Sequence, residues 1–269
     1  MRQTTRARIY ANAVRDIVRR RTPLPTDSTV AESNSKRLYD ILEQYESDVV
    51  FTHVGLSDIK TAFQTNPYDF LIETLEDHFE SILAPGYTPQ FRSVGLYDKQ
   101  TSEPAYGMWP KLFFQDAQYR TDDAIHSILV RGDYRFEDCN HHDTFAQDGC
   151  FGQLDQDNVL IMNIGTPYLI CTHNYYVERQ NNVPYYTSRT YEGTLVCEDD
   201  TSERIQQRDR STTVFTKQAW KKIQTAGVEH GVIDRHDLNG LLILAFKARE
   251  YHEFLREKLR NNPYFMVTF

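Results

Sequence analysis

The apolar positions of the chain follow two alternating periods. DVVFTHV (Asp48 to Val54) predicts a buried strand, and a helix is expected from Leu56. In PYDFLIETLEDHFESIL, the residues Phe70, Leu71, Leu75, Phe79 and Ile82 recur at helical spacing and predict a single second helix. LIMNIG, from Leu160, is long enough for another buried strand. Gly165-Thr166-Pro167 breaks it, and Thr172 stands where it caps a short helix through Glu178. Between Thr187 and Glu198 the chain is β-rich, and Leu241 to Phe246 is an apolar strand feeding a terminal helix with Tyr251, Phe254, Leu255 and Leu259. Strand then helix, without an internal repeat, predicts an α/β protein of three layers (α/β/α) around a mixed central sheet.

The start of the chain reads differently. Thr22 to Ser35 is a Pro, Ser and Thr-rich connector, after which Leu38, Ile41, Leu42 and Tyr45 repeat at helical spacing, so the folded body is expected to begin near Ser33. We therefore divide the chain into a basic helical arm with its linker (1–35) and one α/β domain (36–269). The first 21 residues hold seven Arg and one Asp; this +6 within a total of −8 leaves −14 on the remainder. An acidic body does not favour nucleic acid. The arm's Ile9, Tyr10, Ala13, Val14, Ile17 and Val18 fit an amphipathic helix lying on the domain. No segment has the ~18 apolar residues of a membrane span, and the arm lacks the apolar core of a secretory signal. Cys139, Cys150, Cys171 and Cys197 form no C-x-x-C pair, which suits a reducing cytoplasm, the expected location.

Three clusters carry reactive side chains. Cys139-Asn140-His141-His142-Asp143, with Cys150 shortly after, offers zinc ligands, yet the spacing matches no common zinc pattern and adjacent histidines in a strand face opposite ways, so no metal is expected. His126 lies beside Ser127, but neighbouring residues rarely form a nucleophile–base pair and no G-x-S-x-G elbow occurs, which argues against a serine hydrolase. The third cluster is Thr172, His173, Tyr175, Tyr176 and Glu178 at a strand end, where open α/β sheets place ligands. Tyr175 and Glu178 are three apart and share a helical face, whereas His173 shares a face with Val177. A plainer reading, in which the tyrosines are core aromatics and His173 a surface residue at the cap, stays open.

The order of these segments resembles the aminoglycoside 3-N-acetyltransferases from about Asp48 to the C-terminus. VVFTHVGLSDI resembles the family's first strand and its H-S-S-L turn, with His53, Val54, Gly55 and Leu56 in place. LAPGYTPQF, from Leu83, is similar to M-P-T-F-T-Y-S-F, and Gly107 with Phe113 and Phe114 fits G-x-L-x-x-x-F. YRTDDAIHS stands for R-S-x-H-P-x-x-S, matching Arg120, Thr121 and Ser127. HDTFAQDGCFGQL resembles D-S-F-G-E-D-S-x-F-x-K-L, matching Asp143, Thr144, Phe145, Asp148, Phe151 and Leu154. CTHNYYVERQNNVPY is similar to C-T-F-I-H-Y-I-E-Q-x-x-G-V-P-Y, and Asn262-Pro263-Tyr264-Phe265 to the closing D-P-Y-F.

The resemblance implies that fold and acetyl-CoA-dependent N-acetylation of a primary amine on an aminoglycoside or amino sugar, by general-base-assisted direct transfer. It implies a CoA cleft near His53, Val54, Gly55, Ser57, Arg120, Thr121 and Ser127. Asp148 and Glu178 are expected to attract a cationic small-molecule acceptor. Two positions depart from the pattern. Tyr175 replaces the motif histidine that serves as general base in the family, and Asp123-Ala124 replaces His-Pro. Imidazole, with a pKa near 6.5, suits that task, while a phenol titrating near 10 does not. Three outcomes follow: His173 takes over; His141 or His142 reaches in from the neighbouring loop; or catalysis is lost and the inherited cleft binds a ligand or partner. A changed reaction with Tyr175 donating to an oxyanion is a further variant.

Overall fold

The computed structural model describes residues 28–238 and 240–269. The expected arm helix falls outside them. The first described element is α1 (Ser28–Leu42), so helix already runs through the part of the connector read as linker. Ala31 and Asn34 are buried there, and Asn34 Nδ2 donates to the Ala62 carbonyl at 3.0 Å. The folded body thus begins before Ser33 and before the expected boundary at 36.

Strand β1 (Val49–Val54) leads through α2 (Leu56–Phe63) and α3 (Pro67–Glu76) to β2 (Ser81–Pro85). The long second helix expected across Phe79 and Ile82 stops at Glu76, and Ile82 belongs to β2, whose five residues are all buried. A helical stripe and a fully buried strand share the same apolar spacing over so short a stretch. Next come α4 (Phe91–Val94), β3 (Leu96–Asp98), α5 (Met108–Asp116), β4 (Tyr119–Arg120) and β5 (Ile128–Gly132). The second half runs α6 (Cys150–Gln156), β6 (Leu160–Ile164), α7 (His173–Gln180), β7 (Tyr186–Val196), β8 (Ser202–Thr212) and β9 (Lys217–Gln218). It closes with α8 (Trp220–Glu229), β10 (Asp234–Leu238), β11 (Leu241–Lys247), α9 (Ala248–Asn261) and β12 (Val267–Thr268).

The central sheet has the order β10-β11-β6-β1-β2-β5-β4. Only β6, β1 and β2 are parallel, with Phe51 opposite Ile161 and Leu83; the flanking strands run antiparallel, so the sheet is mixed. Strand alternation sends Phe51, Leu83, Ile161 and Leu244 to a core shared with α6, α7, α8 and α9. Val50, Ile82, Met162 and Ala245 face the opposite core, against α1, α2, α3 and α5. Two cores separated by one sheet give the expected three-layer α/β/α architecture. Strands β3, β7 and β8 form a second small sheet, and β9 pairs with β12.

The parallel strands fix where a site lies. From β1 the chain crosses to β2 on one side, while β6 lies on its other side, so a crevice opens at the carboxyl ends of these strands. There Gly55 and Gly165 bring two backbones into contact: a Cβ on Gly55 would collide with the Gly165 carbonyl oxygen, and Gly165 itself has φ +69°. Gly55→Ala is therefore expected to destabilise by about 1–3 kcal/mol through overpacking, read as a lower urea midpoint. An unchanged midpoint would show that the two strand ends yield freely.

Candidate active site

The side chains expected at the site lie in several separate places. The crevice edge holds His53, Val54, Gly55 and Ser57 at the end of β1. His53 is buried against Phe51, its Nε2 has no hydrogen-bond partner among the described residues, and burial lowers its pKa to about 4. Ser57 is exposed and donates to Asp58 at 3.1 Å. Arg120, expected near the CoA cleft, ties loops together. It donates from Nε to Ser127 Oγ at 3.1 Å, from Nη1 to the Lys99 and Ser102 carbonyls at 3.1 and 2.7 Å, and from Nη2 to the Gly86 carbonyl at 2.7 Å. Its guanidinium lies over the faces of Tyr97 and Phe114 as well. Ser127 donates to the Gly86 carbonyl at 2.6 Å, and Thr121 Oγ1 accepts from the Ile128 N–H at 2.9 Å. All three are buried, and the Arg120 guanidinium is taken up by carbonyl groups and Ser127.

His173 opens α7, with Thr172 at the cap position but making no side-chain cap bond. Fully buried, it stacks on Tyr176 and places Nε2 3.0 Å from Asp155 Oδ1, a carboxylate that also meets His252 Nδ1 at 3.1 Å. Burial pulls the His173 pKa down against the opposing effect of Asp155. Its partners lie on α6 and α9, away from those of Glu178, so it links three helices and does not stand in at the Tyr175 position. His141 is also engaged elsewhere. Its Nδ1 lies 3.1 Å from the Asp122 N–H and its Nε2 2.8 Å from the Phe136 carbonyl, so backbone groups occupy both ring nitrogens. Asp148 is exposed on the wall of a cavity of about 490 Å³, lined also by Arg135, Glu137, Asp138, Cys139 and Asp157 and not by Glu178.

Tyr175 and Glu178 do share a face, as the helical spacing required. The Glu178 carboxylate is fully buried and accepts from Arg210 Nε at 2.7 Å, from the Tyr185 hydroxyl at 3.1 Å and from Gln218. Arg210 also lies 4.3 Å over the Tyr175 ring, whose other neighbour is the edge of Phe145 at 5.7 Å. Burial pushes the Tyr175 hydroxyl further up, away from the range of a base at neutral pH.

On the far side of Phe145 stands a histidine. The His126 ring lies 5.1 Å from Phe145 and 5.0 Å from Tyr87, and the Tyr87 hydroxyl approaches Thr172. His126 Nε2 is 3.1 Å from Asp209 Oδ1; Arg92 holds the other oxygen of that carboxylate from Nε at 2.8 Å and Nη2 at 2.7 Å. Burial resists ionisation of Asp209, but His126 and Arg92 keep its carboxyl below the ordinary range. An ionised acceptor fixes the proton on His126 Nε2 and leaves the Nδ1 lone pair free, and Nδ1 has no partner among the described residues. Asp123, where the family has histidine, is buried and accepts from the Ile125 and His126 N–H groups at 2.9 and 2.7 Å, setting the turn that presents His126. Sequence reading weighed His126 only against Ser127. Its partner was hidden because Ile205, Gln207 and Asp209, the inward residues of β8, alternate correctly but are mostly polar.

Fold and site thus define a three-layer α/β protein with a carboxylate-held imidazole beside the crevice of its parallel strands. A family profile for the aminoglycoside 3-N-acetyltransferases matches residues 73–260, and the chain belongs to that family. The family uses acetyl-CoA as co-substrate. Among solved structures, AAC-IIIb in binary complex with CoASH superposes with a TM-score of 0.70 at 15% identity, covering 86% of this chain and 96% of that one. The YokD protein from Bacillus subtilis gives 0.70 at 14%, covering 86% and 93%. Sisomicin-bound AAC-VIa gives 0.66 at 15%, covering 86% and 97%. A sequence comparison with curated proteins finds no match. Among the described residues no helix is long and apolar enough to cross a membrane.

The depressed pKa of His53 has a consequence for stability. The unfolded chain takes up this proton near pH 6.5 and the folded chain near pH 4, so folding strength is complete above the first value and falls as pH drops between them. We expect His53 to remove about 2 kcal/mol between about pH 7.5 and about pH 5, and His53→Asn to flatten the urea-unfolding profile by that amount. His173 works in the same direction, so the variant should reduce the slope without abolishing it.

Proposed function

We propose that the chain is an acetyl-CoA-dependent N-acetyltransferase acting on a primary amine of an aminoglycoside or amino sugar, with His126 as general base in place of the family histidine. The supporting observation is the unpaired Nδ1 of a ring held through Nε2 by Asp209. In this reading the amine nitrogen attacks the thioester carbonyl while Nδ1 takes its proton. The tetrahedral intermediate then expels the CoA sulfur, to which His126 returns the proton, giving an N-acetyl amine and free CoA thiol. Asp209 keeps the ring in the required tautomer and steadies the transient imidazolium, as an orienting carboxylate does in other acyl-transfer sites. CoA is placed along the crevice edge at His53, Val54, Gly55 and Ser57, with Thr121 and Ser127 as wall residues. The net acidic body supports a cationic acceptor.

Calorimetry with acetyl-CoA, followed by release of CoA thiol with a panel of aminoglycosides and amino sugars, tests the reading. His126→Ala is expected to lower kcat by about 10²- to 10⁴-fold while leaving the acetyl-CoA Kd near the wild-type value. Wild-type turnover in that variant would rule out His126 as base. Folded protein that binds no acetyl-CoA would instead favour a silent member using the inherited cleft for another ligand or partner. Loss of turnover in Tyr175→Phe, with His126→Ala active, would assign the phenol as an oxyanion donor.

A further inference from the structure

The loop between β5 and α6 brings together two cysteines that the transfer reaction does not use. Cys139 Sγ and Cys150 Sγ are 2.6 Å apart, well inside the ~3.5 Å at which unbonded heavy atoms normally meet. The same separation disfavours a zinc site, because thiolates each ~2.3 Å from a tetrahedral ion stand about 3.8 Å from one another. His141 lies alongside, its Nε2 3.8 Å from Cys139 and its Nδ1 3.5 Å from Cys150, but both nitrogens already serve backbone groups. The backbone is fixed as well: a Cβ on Gly152 would strike the Gln147 carbonyl oxygen, so the loop is pressed onto α6 where Cys150 begins it.

We propose that Cys139 and Cys150 are a reversible thiol–disulfide pair, oxidised by small-molecule disulfides that enter the cavity walled by Cys139. Cys139 is half-buried and lines that cavity, while Cys150 is buried behind it, which assigns their order of reaction. The Cys139 thiolate attacks one sulfur of the reagent, forming a mixed disulfide and expelling one thiolate. Cys150, losing its proton, then attacks the Cys139 sulfur and expels the second. Two protein thiols and one reagent disulfide become one protein disulfide and two reagent thiols. The Cys139 pKa, lowered to about 6 by the hydrogen bond from Cys150 against the effect of burial, with His141 assisting, is consistent with its attacking first. The carboxylates of Glu137, Asp138, Asp148 and Asp157 at the same cavity favour neutral reagents over anionic ones. Closing the bond fastens the loop carrying Asp143, which meets Arg179 and Arg208, and Phe145, which separates His126 from Tyr175.

The test uses the full chain, first reduced, then equilibrated with mixtures of 2-hydroxyethyl disulfide and 2-mercaptoethanol, a neutral acyclic couple, and finally alkylated in denaturant and digested for mass spectrometry. The expected product is a cross-linked Cys139–Cys150 peptide pair two hydrogens lighter than its thiols, with Cys171 and Cys197 alkylated and the bond reopened by excess reduced reagent. The melting temperature should rise by roughly 5 °C on oxidation, and not at all in Cys139→Ser or Cys150→Ser. Cysteines 139 and 150 both alkylated at the most oxidising ratio would overturn the proposal. So would stoichiometric zinc retained by the wild-type chain and lost in Cys139→Ser. Because the cross-link is read on the unaltered protein, the conclusion stands even where a variant folds poorly.

Discussion

The buried ion pair between Glu178 and Arg210 organises everything around the site. Glu178 is fully shielded on α7, and burial pushes its carboxyl up against the opposing pull of Arg210. Removing one partner of such a pair typically costs about 3–5 kcal/mol, because the other is left charged in a medium that cannot solvate it. Arg210 reaches Glu178 from β8, so the pair docks the β7–β8 hairpin on the main body. Successive residues of a strand face opposite ways. The docking that sends Arg210 to α7 therefore sends Asp209 the other way, to His126 and Arg92, while Arg208 meets Asp143 on the loop before α6. This charged contact helps set the position of Asp209, of the His126 ring it holds and of the loop that carries Asp143.

That dependence also explains the tyrosine at position 175. With the guanidinium of Arg210 4.3 Å above it, a ring here gains from cation–π attraction, about 1–2 kcal/mol in a largely desolvated setting. An imidazole in the same place would face a like charge whenever it took up a proton, which weakens it as a base. Tyrosine matches the electrostatics of Arg210, whereas His126 stands on the far side of Phe145, against Asp209. The two departures from the family pattern are spatially related, since Asp123, in the place of the family's histidine, fixes the turn on which His126 sits.

The elements legible in the sequence were those whose burial is complete and apolar. β1, β6 and β11 read as continuous runs because helices cover both their faces, and α9 read from a single stripe because only one of its faces is covered. β8 was not legible, because its inward positions after Ile205 are Gln207 and Asp209, buried with hydrogen-bond partners in place of apolar contacts. The start of α1 was hidden by serine and threonine, whose weak helix preference is overridden by the packing of Ala31 and the bond from Asn34. For the site, the missing histidine at position 175 was visible at once. His126 and Asp209 were not, because they lie on distant segments that meet where the β7–β8 hairpin docks on the loop before β5.

The distribution of charge follows the demands of the chemistry. An amine acceptor arrives protonated and is drawn by carboxylates, yet it must be neutral to attack a thioester, so a site full of free carboxylates would hold it in the unreactive form. Of the buried acids near the imidazole, Asp209 is matched by Arg92 and Glu178 by Arg210, while Asp123 is held by the backbone N–H groups of Ile125 and His126. Asp148, on the outer loop, belongs to the surface, where water and salt screen it. The acids deep in the fold are thereby held by donors of the chain itself, and those at the surface face water.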